Sequence, residues 1–129
     1  MINSTATIYT IKTANDMLLF NSKSALHSYI INNCNYIDLK AIYVKQLKPL
    51  QDGRLIFDLV QTLEYNNFHG TMQAINRVID KLADNLFDLE ISKNIPAFMV
   101  EKARKDLDEA FAKKTAFINY CVNDLVDIA

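Results

Sequence analysis

Four side chains in this 129-residue sequence are the natural candidates for nucleophilic, acid–base or metal chemistry near neutral pH: His27, His69, Cys34 and Cys121. His27 lies between Leu26 and Ser28, and His69 precedes Gly70. Neither stands in a spacing that defines a Ser-His-Asp or Cys-His arrangement, so no catalytic residue is assigned. Cys121 falls on an apolar helical stripe and is expected to pack as a small core residue. Cys34 sits in the Asn-rich stretch Asn32-Asn33-Cys34-Asn35 and is expected at the surface, with no nearby cation to lower its pKa. Two cysteines so far apart make neither a disulfide framework nor a zinc site.

Carboxylates and cations supply three further constellations. Asp80, Asp84 and Asp88 recur every four residues. Like charges at that spacing repel by about 0.2–0.5 kcal/mol per pair in a helix. They are either a solvated face relieved by Arg77 and Lys81, or an acidic ridge that meets a basic partner. Without a glycine-turned loop they are a poor metal site, and no metal is expected. Lys40, Lys48 and Arg54, with Lys45 and the interleaved Tyr43, form a weak basic patch. Aromatic-basic interleaving can stack single-stranded bases. In a regular strand, however, Lys45 points away from Lys40 and Lys48, and a charged edge strand explains the patch as well. Ala112, Ala116 and Tyr120 share one side of a long helix, opposite its main apolar stripe. That small-residue patch fits a second helix, either of a partner chain or of the segment from Arg54 to Tyr65. The only glycines are Gly53 and Gly70, so no phosphate-cradling loop exists and no cofactor is expected.

Hydrophobic periodicity gives the elements that must position these residues. Ala6 to Lys12 is β-branched and aromatic, and Met17 to Phe20 follows after Asn15-Asp16, which reads as a hairpin. Asn21 or Ser22 offers a cap for a short helix carrying Leu26, Tyr29 and Ile30. Asp38 to Lys48 alternates, with Leu39, Ala41, Tyr43 and Leu47 expected to point into the core. Leu55, Leu59 and Leu63 recur at i, i+4 and i+8, which favours a third helix over Arg54 to Tyr65. The preceding Asp52-Gly53 turn and the β-branched content instead support a strand.

The second half is plainer. Met72, Ile75, Ile79, Leu82, Leu86 and Leu89, joined by Val78 and Ala83, form one stripe, and Val100, Ala103, Leu107, Ala110, Phe111, Phe117, Ile118, Cys121, Val122 and Leu125 another. Two such helices joined near Pro96 should pack antiparallel, with Leu82 and Leu107 buried between them. Lys114 is the misfit, falling in the middle of the second stripe. The expected fold is α+β and helix-dominated. A two- or three-stranded sheet with a short helix (residues 1–50) precedes a helical part (51–129) within one domain.

Composition bounds the function. Half the residues are hydrophobic, 22% are charged and the net charge is −1. No bulk field therefore draws the chain to nucleic acid or to anionic lipid. No apolar run reaches the roughly 20 residues that cross a bilayer. The first residues, Met-Ile-Asn-Ser-Thr-Ala, lack a basic and an apolar leader segment, so a cytoplasmic location is expected. Abundant Asn, Ile and Lys with three Arg match AT-rich coding DNA, as in low-GC bacteria and their phages. That is an association about origin alone. The expectation is a non-enzymatic protein–protein interaction module, a small regulator or inhibitor, binding another protein or forming a homodimer. Its rivals are a nucleic-acid-binding regulator, which needs the lysines to converge, and a small enzyme whose site assembles only in the fold.

Overall fold

The structure is a computed structural model and describes residues 6–127. Residues 1–5, which carry most of the leader argument, lie outside the described residues. β1 (Thr7–Thr13) and β2 (Met17–Phe20) form the expected hairpin. Thr13 holds its turn: its N–H bonds to Asp16 O at 2.9 Å, and its hydroxyl accepts the Asp16 N–H at 3.0 Å. Ser22 caps α1 (Lys23–Asn33), its Oγ accepting the Ala25 N–H at 3.1 Å. The helix ends in asparagines, where Asn33 Nδ2 turns back to Tyr29 O at 2.8 Å.

β3 (Leu39–Pro49) and β4 (Leu55–Glu64) form a second, longer hairpin. The four strands run antiparallel in the order β2-β1-β3-β4, the fourth being the strand that the Asp52-Gly53 turn supports. The segment from Arg54 to Tyr65 is thus a strand and not a third helix. Its turn decides the matter. Gly53 takes φ +87°, Arg54 N–H bonds to Asp52 Oδ1 at 3.1 Å, and Leu50 N–H closes on Arg54 O at 2.7 Å. The helical spacing of Leu55, Leu59 and Leu63 was coincidental, because a nearly continuous apolar run fits any period.

The inward face of β3 also differs from simple alternation. Thr13 pairs with Leu39 but Lys12 pairs with Ala41, so Lys40 is an extra, bulged residue. Beyond it the phase reverses: Ile42 and Val44 are fully buried, while Tyr43 is half-buried on the other side. A second irregularity places Val60 as an extra residue in β4, between the pairs Val44–Gln61 and Lys45–Leu59.

α2 (Phe68–Ile91) and α3 (Ala97–Asn123) form the expected hairpin. All three helices supply residues to a single core against one sheet face: Tyr9, Ile11, Ile42 and Val44 meet Leu26 and Ile30 of α1, Phe68 and Met72 of α2, and Ile118 and Val122 of α3. The hairpin's sheet-side end is buried and its far end is not. Met72 and Ile79 are buried, Leu82 and Leu107 are half-buried, and Phe87, Ile91 and Phe98 are exposed. Val78 and Phe111, expected within the two stripes, are exposed as well. Leu82 and Leu107 therefore lie in a two-helix seam with solvent on both sides.

Lys114 finds a specific place. Its Nζ donates to Asn35 Oδ1 and Asn76 Oδ1, both at 2.8 Å, and Asn76 Nδ2 also donates to Asn35 Oδ1 at 2.8 Å. The ammonium thus ties α3 to α2 and to the end of α1 without entering the apolar core. The C-terminal segment is latched in a similar way. Gln61 Nε2 donates to Asp124 O and its Oε1 accepts the Val126 N–H, both at 2.8 Å. Tyr9 and Lys23 donate to Val126 O and Leu125 O at 2.9 and 2.8 Å, and Leu125 is buried.

Candidate functional site

β4 begins Leu-Ile-Phe-Asp-Leu-Val, and a strand so apolar on both sides ordinarily lies buried in the middle of a sheet. Here it is the sheet edge, and no described helix covers its outer part. Leu55, Ile56, Phe57, Leu59 and Val60 are each between 42 and 58% exposed. Because Tyr9, Ile11, Ile42 and Val44 face the helices, alternation puts Leu55, Phe57 and Leu59 on the opposite, open face of the sheet. There they continue into half-buried Ile8, Tyr43 and Leu47 and exposed Met17 and Leu19. Thr10 lies at the centre of this face, buried under its neighbours, and its hydroxyl meets no partner among the described residues.

The backbone of β4 is open too. The bond from Leu50 N–H to Arg54 O sets the alternation, so Ile56 and Asp58 pair with Lys48 and Gln46 of β3. The N–H and C=O groups of Leu55, Phe57 and Leu59 consequently point away from the sheet. Natural edges are usually blunted by Lys, Pro or bulges. Between Leu55 and Leu59 there is none of these, and Asp58 is the one charge.

A second feature is a cleft of about 330 Å³ between the end of β4, the start of α2 and the end of α3. Tyr65, Phe68, Phe117 and Tyr120 contribute aromatic walls, and Glu64 and Asp124 contribute carboxylates. Tyr65 OH donates to Cys121 O at 2.5 Å. Burial pushes the Cys121 thiol up to about 11 and also raises the Tyr65 phenol, to which the neighbouring Cys121 and Asp124 charges add. Both groups hold their protons at neutral pH, so this cleft offers contact surface and carboxylates but no ready nucleophile.

No protein-family model matches this sequence, and no curated protein and no solved structure resembles it significantly. The site must therefore be judged on geometry.

The candidates drawn from sequence disperse over the surface. Asp80, Asp84 and Asp88 are all exposed on α2, as a ridge would be. Ala112, Ala116 and Tyr120 are likewise exposed on α3; Tyr120 borders the aromatic cleft. Lys40, Lys48 and Arg54 are exposed, but Lys40 pairs with Asp38 at 3.0 Å and Arg54 with Asp52 at 2.5 Å. Lys45 lies on the open face and Lys48 on the other, so the lysines do not converge. Cys34 is buried, not exposed as expected, because the chain after α1 folds back to place Ile37 and Leu39 beside it. Both cysteines are free. His27 Nε2 meets Asn119 Oδ1 at 2.8 Å, while His69 Nδ1 is buried and meets no partner among the described residues. Among the described residues no trio of His, Cys, Asp or Glu could hold a metal ion. No helix among them is long and apolar enough to cross a membrane.

The raised Cys121 and Tyr65 values predict alkaline lability. Each group keeps its proton longer when folded, so the unfolded chain loses protons first. The stability that these groups contribute is complete below pH 9.0 and is lost as pH climbs towards about 11. Thermal melts between those values should show Tm falling, and Cys121→Ala should flatten the early part of the decline. A flat profile for the unmodified protein would remove the burial argument.

Proposed function

We propose that this protein is a non-enzymatic binding module whose recognition surface is the outer part of β4 with the open sheet face beside it. The observation that supports this most is the exposure of five large apolar side chains on one strand whose backbone edge is also unpaired. Apolar patches of this kind, rimmed by polar residues, mark interaction surfaces. An edge strand adds main-chain hydrogen bonds that a helix face cannot offer. A regulator or inhibitor that works by occupying another protein would use such a surface; the same edge serves equally for self-association. The basic residues, split between faces and partly neutralised, favour this over nucleic-acid binding.

Capture experiments with immobilised protein test the proposal. Phe57→Lys/Leu59→Lys should lose its captured protein, second copies included, while Asp84→Lys and Ala116→Arg retain it. Both control positions are exposed, so all variants should remain folded by circular dichroism. Capture that survives the β4 variant but fails in Asp84→Lys or Ala116→Arg would move the site to the acidic ridge or the α3 patch.

A further inference from the structure

The geometry points to a second copy of this chain as the occupant of the β4 edge, paired antiparallel through Leu55–Leu59 about a two-fold axis at Phe57. This rests on β4 being the recognition surface and names what covers it. Three observations carry it. First, the strand is self-complementary. Turned about Phe57, the edge-facing groups of Leu55, Phe57 and Leu59 meet those of Leu59, Phe57 and Leu55 of the second copy, so every open N–H gains a carbonyl. The apolar side chains then pair with apolar ones on the open face.

Second, charge permits it. The single carboxylate, Asp58, falls opposite Ile56 of the other copy. Like charges would oppose each other only if the axis ran through Asp58 itself. A net charge of −1 adds little repulsion between copies. Third, the composition of the strand fits a covered position: Leu55, Ile56, Phe57, Leu59 and Val60 are each exposed on a sheet edge. Pairing would turn an apolar edge strand into a central strand of an eight-stranded sheet, the setting its composition fits. The bulge at Val60 interrupts the ladder there, which confines the matched segment to the five residues before it.

Sedimentation or light-scattering mass tests this between roughly 1 and 100 µM, the range that fills a dimer of micromolar Kd. The unmodified protein should approach twice 14.8 kDa at the upper end. Phe57→Lys should remain at 14.8 kDa, with an unchanged far-ultraviolet spectrum because the side chain is exposed. Phe57→Cys should form a disulfide-linked dimer under mild oxidation, since cross-strand partners about 5.5 Å apart are within disulfide reach. The buried native cysteines, Cys34 and Cys121, should not crosslink. A monomer throughout the range overturns the inference; if Phe57→Lys/Leu59→Lys still abolishes capture of a different protein, β4 remains a recognition surface. A dimer that survives Phe57→Lys places the contact elsewhere, and one that forms without crosslinking Phe57→Cys overturns the two-fold pairing.

Discussion

Ile42→Ala should lower the unfolding free energy by about 2–5 kcal/mol, while Leu82→Ala should lower it by only about 1–2 kcal/mol. Both substitutions remove the same number of carbon atoms. Ile42 is fully buried at the centre of the sheet, between Ile11 on β1 and Leu63 on β4, facing the helices. The cavity left there is enclosed by elements that cannot collapse without moving the sheet. Leu82 is half-buried in the two-helix seam, where solvent and neighbouring side chains can fill the space. Urea denaturation of both variants at fixed protein concentration would read the difference. Equal losses would mean that the hairpin carries as much of the core as the sheet does.

Ending the chain at Asn123 should have a similarly large effect, a loss of about 3–5 kcal/mol, although only residues beyond α3 are removed. Leu125 lies outside any regular element and is nonetheless buried in the main core. The same residues provide carbonyls for Lys23 and Gln61 and a backbone N–H that Gln61 accepts. Removing them deletes a packed leucine and leaves those side chains to water. Leu125→Ala alone, in the full chain, should reproduce at least about 2 kcal/mol of that loss. A truncated protein that melts with the full chain would show that this latch is incidental.

The helical hairpin was legible in the sequence because its stripes hold a single period over five or more turns. The first hairpin and the cap at Ser22 were legible for local reasons: a polar turn between β-branched runs, and a hydroxyl just before a helix. β4 was not. A run apolar on both faces carries no period that separates helix from strand, and the deciding feature was Gly53, whose left-handed φ closes a turn onto Leu50. The inward face of β3 was misjudged for another local reason, the bulge at Lys40, since one extra residue reverses every later side chain.

The candidate site followed the same division. Charged and small-residue patterns on α2 and α3 could be read, and the structure leaves both exposed, with the α3 patch left uncovered by the segment from Arg54 to Tyr65. The apolar edge is not legible in the sequence as long as Arg54 to Tyr65 reads as either helix or strand. Its signal was present all the same: six residues with one charge, directly after an Asp-Gly turn, more apolar than an edge strand ordinarily is.

Amide hydrogen exchange along β4, read residue by residue, addresses most directly whether this edge is covered in the working protein. Ile56 and Asp58, bonded to β3, should exchange slowly under all conditions and serve as the internal reference. Phe57 and Leu59 point to the open edge. Their exchange should slow by about tenfold or more as concentration rises through the association range, and return to fast rates in Phe57→Lys. If Phe57 and Leu59 exchange as fast as the turn residue Asp52 at every concentration, and still do so with any captured protein present, the edge stays in water and β4 is not a binding surface.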